Sequence, residues 1–131
     1  MAREHEHAFG FEDLEVYQAA RRFRNRVYKL TKLLPTDERY ALFQQMRKAA
    51  ISLTNNIAEG YGRFTWQDRT HFCRQARGSL TELVDDINTC IDQHYAKRDH
   101  LADLKADAQE VVRLLNGYIA YLQKHRKSPG R

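Results

Sequence analysis

The sequence predicts an all-α protein, an antiparallel up-down-up-down left-handed four-helix bundle, on three observations. Four stretches repeat apolar residues at steps of three and four, the spacing that lines one side of an α-helix. Proline, glycine and capping residues punctuate the gaps between them, and those gaps are short enough to fold consecutive helices back on one another. Only 2 prolines and 6 glycines interrupt 131 residues, a length that suits one domain with one core. The seven-residue repeat of the apolar seams implies left-handed packing at about 20° between axes.

The bundle is expected over residues 11–123, with its first helix at about 12–33. Val16, Ala20, Phe23, Val27, Leu30 and Leu34 trace the seam. Glu12, Asp13 and Glu15 lead it, and Arg24, Arg26, Lys29 and Lys32 follow, so both ends complement the helix dipole. Arg22, Arg26 and Lys29 share one stripe at steps of four and three. Pro35 disfavours helical geometry at Leu34, and Thr36 is positioned to cap a second helix at about 37–59.

Phe43, Met46, Ala50, Leu53 and Ile57 form the buried side of that second helix. Gly60 reads as its C-terminal cap, a residue free to turn left-handed. At about 100° per residue, Lys48, Ser52, Asn55 and Glu59 fall opposite the core, with Gln45 and Asn56 on the flanks. Ser and Asn are poorer helix residues than Ala or Lys by up to roughly 0.7 kcal/mol. Two readings follow: a tolerated solvent face, or a face that meets another molecule.

Thr65-Trp66-Gln67-Asp68 resembles a capping box with Asp in the usual Glu place, and opens a third helix at about 66–95. Its seam is Cys73, Ala76, Leu80, Leu83, Ile87 and Cys90. Gly78 points away from that seam, although glycine inside a helix costs about 0.8–1.0 kcal/mol relative to alanine. Either another backbone approaches there or the helix bends locally. Asp99 is a natural N-cap for a fourth helix at about 100–123, seamed by Leu101, Leu104, Ala108, Val111, Leu115, Tyr118 and Leu122. Residues 1–10 and the basic segment 124–131, with Lys124, His125, Arg126, Lys127 and Arg131, are expected to be flexible tails.

The net charge is +5 and the pI about 9.4, a balance that favours polyanionic partners when repeated around an oligomer. No run approaches the roughly 18 apolar residues of a membrane span, and the first residues lack the apolar core of a signal peptide, so a cytoplasmic protein is expected. Cys73 and Cys90 lie on one helix with backbones roughly 25 Å apart at 1.5 Å rise per residue, which excludes a disulfide between them and leaves buried thiols. His71, His94, His100 and His125 have no partner carboxylate at Glu-x-x-His spacing inside a seam, so no metal is expected. Gly60-Tyr61-Gly62 lacks the lysine and preceding strand of a phosphate loop. Adjacent Asp85 and Asp86 diverge by about 100°, and are expected to face solvent or a basic neighbour. Neither an enzyme nor a cofactor is indicated.

Arg47-Lys48-Ala49-Ala50-Ile51-Ser52, Asn55-Asn56-Ile57-Ala58-Glu59-Gly60 and Gly62-Arg63 together resemble the signature of the 23S rRNA intervening-sequence proteins. Phe11-Glu12-Asp13-Leu14, Val16-Tyr17, Leu34-Pro35, Ala76-Arg77-Gly78-Ser79-Leu80 and Glu82 fit in order. Thr54 departs from the small residue or proline usual before the first asparagine. The resemblance implies a small bacterial cytosolic bundle that forms a homopentamer and has no established enzymatic activity. A more distant similarity is to the accessory proteins of diversity-generating retroelements, basic pentamers that bind nucleic acid beside a reverse transcriptase.

Two functions are carried forward. In the first, a homo-oligomer binds structured RNA or DNA through Arg22, Arg26, Lys29, Arg47, Lys48, Arg63 and Arg69. In the second, the protein is a scaffold for an acidic protein partner. In both, Lys48, Ser52, Asn55, Asn56, Glu59 and Gly78 form the contacts between subunits.

Overall fold

Each of the four apolar seams closes on the others in a computed structural model that describes residues 9–126. The helices are α1 (Glu15–Thr31), α2 (Leu42–Tyr61), α3 (Trp66–Asp92) and α4 (Arg98–Lys124), with single 3-10 turns at Gly10–Asp13 and Thr36–Glu38. Phe23, Leu30, Met46, Leu53, Ile57, Leu80, Leu83, Ile87, Leu104 and Leu115 are all but sealed from water. Each such side chain contributes about 1.5–3 kcal/mol by leaving solvent. On α4 the last part of the seam runs through Ile119 rather than Tyr118, which is only half-buried.

α2 and α3 share the most extensive contact in the molecule. Gln45 meets Asp86, Ser52 meets Ser79, and Gly60 meets Phe72. Position climbs on one helix as it falls on the other, which requires the two to run antiparallel. The spacing of seven between 45 and 52, and between 79 and 86, keeps both helices in register over two turns.

Gly60 is not the expected left-handed cap. It is buried within α2, and a Cβ there would stand 3.0 Å from the Phe72 Cβ and 3.3 Å from the Arg69 carbonyl oxygen. Its purpose is the close approach of α3. Gly62 ends the helix instead, in ordinary right-handed geometry.

Several helix ends differ from the sequence expectation. α1 starts at Glu15 because Leu14 is extended, and the Gln18 amide bridges that break by donating to the Glu12 carbonyl at 3.1 Å. α2 starts at Leu42, not Asp37, and Thr36 caps nothing. Glu38 is responsible: one carboxylate oxygen accepts from the Leu42 amide at 3.3 Å and the other from the Tyr95 hydroxyl at 2.6 Å. α4 is capped by extended Lys97, while Asp99 lies in the first turn. At α3 the expected Thr65 cap is present, accepting from the Asp68 amide at 3.1 Å. Of the two expected tails, residues 1–8 and 127–131 lie outside the described residues, while Gly10 begins a 3-10 turn and Lys124 still belongs to α4.

α3 stops at Asp92 rather than Tyr95. The His94 amide donates to the Ile91 carbonyl at 3.2 Å and the Tyr95 amide to the Cys90 carbonyl at 3.0 Å, the paired closure of a Schellman motif. His94 occupies the left-handed position of that motif with φ of 59°, where glycine is usual. We therefore expect His94→Gly to stabilise the fold by about 0.5–1 kcal/mol and His94→Val to destabilise it, as read from urea denaturation midpoints.

Candidate nucleic-acid interface and assembly surface

The cations singled out from the sequence divide into two groups. Arg26, Arg47, Arg63 and Arg69 are engaged by the fold. Arg26 on α1 forms ion pairs with Asp107 and, at 3.5 Å, with Asp103 on α4. Arg47 donates to the Thr31 hydroxyl at 2.9 Å, and its guanidinium lies over the Tyr28 and Phe43 rings at 4.3 and 4.4 Å. Such a sandwich holds the α1–α2 seam by cation–π attraction and hydrogen bonding together. Arg63 pairs with Glu59 at 2.6 Å and covers Phe72, while Arg69 donates to the Arg63 carbonyl at 2.6 Å. Arg26, Arg47 and Arg63 cannot reach a phosphate without giving up part of these contacts, whereas Arg69 is held through Nε and keeps its terminal amino groups uncommitted.

Arg22, Lys29 and Lys48 are exposed, and among the described residues no hydrogen bond or ion pair holds them. Arg21 and Lys32, which the sequence stripe omitted, are exposed and equally uncommitted on the outer side of α1. The signal was present: eleven residues is three turns, so positions 21 and 32 coincide on a helical wheel. Arg24, another residue outside the predicted set, turns inward and donates to the Thr54 hydroxyl at 3.2 Å. That contact gives Thr54 a use that alanine, glycine or proline could not serve, since each lacks the hydroxyl.

The predicted subunit contacts also divide. Lys48, Asn55, Glu59 and Gly78 are exposed, and nothing stands within 4 Å of where a Gly78 Cβ would be. Ser52 and Asn56 are half-buried and turned into the α2–α3 seam. The Ser79 hydroxyl donates to Ser52 at 2.9 Å, and the Asn56 amide donates to the Ser52 carbonyl at 2.8 Å and hydroxyl at 3.0 Å. The reason is registry with Ser79, a polar residue on the neighbouring helix that the α2 wheel alone does not reveal. Phe11, Asn55, Asn56, Ala58, Glu59 and Phe72 line an open groove beside this seam.

Asp86 corrects the sequence expectation most sharply, because it faces neither solvent nor a cation. It is 2% exposed, accepts from the Gln45 amide at 2.7 Å through one oxygen, and leaves the other oxygen buried without a partner. Burial pushes its carboxyl up to about 6, against the Gln45 hydrogen bond and with help from Glu82 and Asp85. Burial likewise pushes the Cys73 and Cys90 thiols up to about 11, so neither is a ready nucleophile. Among the described residues no three His, Cys, Asp or Glu side chains converge as metal ligands. No helix among them is long and apolar enough to cross a membrane.

With this geometry in place, comparisons with known proteins are informative. Residues 12–117 match the family described as 23S rRNA-intervening sequence protein. The fold is similar to the crystal structure of a protein of unknown function from the S23 ribosomal protein family of Bacteroides thetaiotaomicron, with a TM-score of 0.73 at 21% identity. That alignment covers 79% of this chain and 97% of the other. No curated protein matches the sequence.

The buried Asp86 sets a pH dependence. Its folded-state value of about 6 lies above the ordinary 3.8, so its stabilising contribution is complete below pH 3.8 and is lost as pH rises through 6. Between pH 5 and pH 8 the parent protein should lose on the order of 1–3 kcal/mol relative to Asp86→Asn, which carries no such titration. Paired urea denaturations at the two pH values measure the difference.

Proposed function

The chain belongs to the 23S rRNA-intervening sequence protein family, and on that premise we propose that it is a non-enzymatic bundle that assembles with copies of itself and binds RNA or DNA through basic outer faces. One observation carries the nucleic-acid part: Arg21, Arg22, Lys29 and Lys32 line the outside of α1, and among the described residues no acidic side chain engages them. A helix about 25 Å long at 1.5 Å per residue spans several phosphates of one strand, and cations spaced along it release counterions from each phosphate they neutralise. Binding of this type reads backbone charge rather than base sequence.

The assembly part is supported by the outer surface of α2 and α3. Gly78 is exposed with open space over it, and Asn55 and Lys48 are exposed on the adjoining helix. A glycine that gives up about 0.8–1.0 kcal/mol of helix stability without a contact inside its own chain is suited to a close approach from outside. A ring of such copies would repeat the α1 cations and multiply their field.

Replacing Arg22 and Lys29 together by Gln should weaken binding to double-stranded nucleic acid and flatten the dependence of log affinity on log salt by about 0.9 per cation removed. Arg26→Gln should change that slope much less, since Asp103 and Asp107 already hold the guanidinium. Filter binding over a salt series distinguishes the two variants. Separately, Gly78→Trp should leave each subunit folded but lower the native mass measured by sedimentation.

A further inference from the structure

At one end of the bundle the α2–α3 turn brings aromatic rings and arginines together. Arg63 covers the Phe72 ring at 4.7 Å, Arg69 lies 5.9 Å from the Tyr61 ring, and Arg126 lies 5.4 Å from the ring of Trp66. Phe64 lies in the turn between Arg63 and Thr65 and differs from those rings. It is 99% exposed, and among the described residues no ring or cation is stacked on it.

The turn that presents Phe64 is tightly held. The Arg63 carbonyl on one side of it accepts from Arg69, and the Arg63 guanidinium is tied to Glu59. Thr65 on the other side caps α3 through the Asp68 amide. A bulky apolar ring is thus presented to water from an ordered turn that it does nothing to hold. A lone exposed ring is ordinary in itself; the ordered turn beneath this one lowers the entropy lost on contact, and arginines lie on the same turn.

We propose that Phe64 is a stacking platform for an unpaired nucleobase, with Arg69 and Arg126 set to meet the flanking phosphates. This deepens the nucleic-acid reading above and rests on it. Every base offers a π-face, and aromatic side chains among arginines bind single strands with little sequence preference. A base inside a duplex has both faces covered by its neighbours, so the partner is a single strand, a loop or a bulge. Arg69 bonds the turn through Nε alone, leaving both terminal amino groups for phosphate oxygens. The role differs from that of α1, whose cations act on any phosphate chain, paired or not.

Trp66 is the single tryptophan of the chain and lies two residues from Phe64, so its emission reports binding directly. The probes are oligo(rU) and oligo(dT) of about 20 nucleotides and a duplex of equal length. Both single strands should quench Trp66 in the full-length protein. Phe64→Ala should weaken single-strand binding by roughly 5- to 100-fold, with duplex affinity and salt slope unchanged, and Phe64→Tyr should retain it. A response to oligo(rU) alone would restrict the partner to RNA. Three outcomes overturn the proposal while leaving the basic-face reading intact: unchanged single-strand affinity in Phe64→Ala, equal loss for single strand and duplex, or a changed native mass, which would assign the ring to a second copy. Binding of the parent protein to none of the three probes would remove both readings.

Discussion

The close approach of α2 and α3 is the constraint on which the remaining geometry depends. Gly60 keeps side-chain bulk off the facing surface, where there is no room for even one methyl group without movement of Phe72 or the Arg69 carbonyl. With the axes drawn in at that end, the Arg63–Phe64 turn is short, and Arg69 can reach back to close it. The same register sets Ser52 against Ser79 and Gln45 against Asp86 further along. A one-residue slip would rotate every one of these pairs by about 100° and place apolar side chains where the polar ones now meet.

Polar residues within that seam act for specificity more than for strength. A hydroxyl pair such as Ser52–Ser79 has a net worth of about 1 kcal/mol, yet an unmatched hydroxyl in the same place would cost more than that. Asp86 goes further, since half of its carboxylate is left without a donor. The core therefore carries an internal charge whose cost is offset by the surrounding apolar contacts. The α1–α2 seam solves a similar problem differently: Arg47 keeps its charge but spreads it between two rings and a threonine hydroxyl.

Periodicity made the helices and most core positions readable, because burial of a stripe every three or four residues leaves a direct trace in sequence. Helix ends were less readable. Thr36 and Asp99 have the right chemistry for caps, yet Glu38 and Lys97 determine where the helices begin, through a tertiary contact to Tyr95 in one case and backbone conformation in the other. The candidate interface was partly legible: a wheel finds which cations point outward, as with Arg22, Lys29 and Lys48. It does not find which outward cations are claimed by a neighbouring helix, as Arg26 is by α4. Asp86 and Ser52 were misjudged for the same reason, since a wheel of one helix contains no knowledge of the helix beside it. Phe64 went unnoticed because a lone aromatic between elements has no period at all.

The pairing of Arg26 with Asp103 and Asp107 has an effect on how the molecule greets a charged visitor. It fixes a pair of carboxylates from α4 along one border of α1, while on the other border Arg24 reaches Thr54 of α2 and Arg47 of α2 reaches Thr31. The electric gradient across α1 is consequently lopsided. Under the proposed binding, a chain of phosphates settling on Arg22 and Lys29 would be pushed off the α4 shoulder and toward α2 and Lys48, giving the bundle a handed approach path.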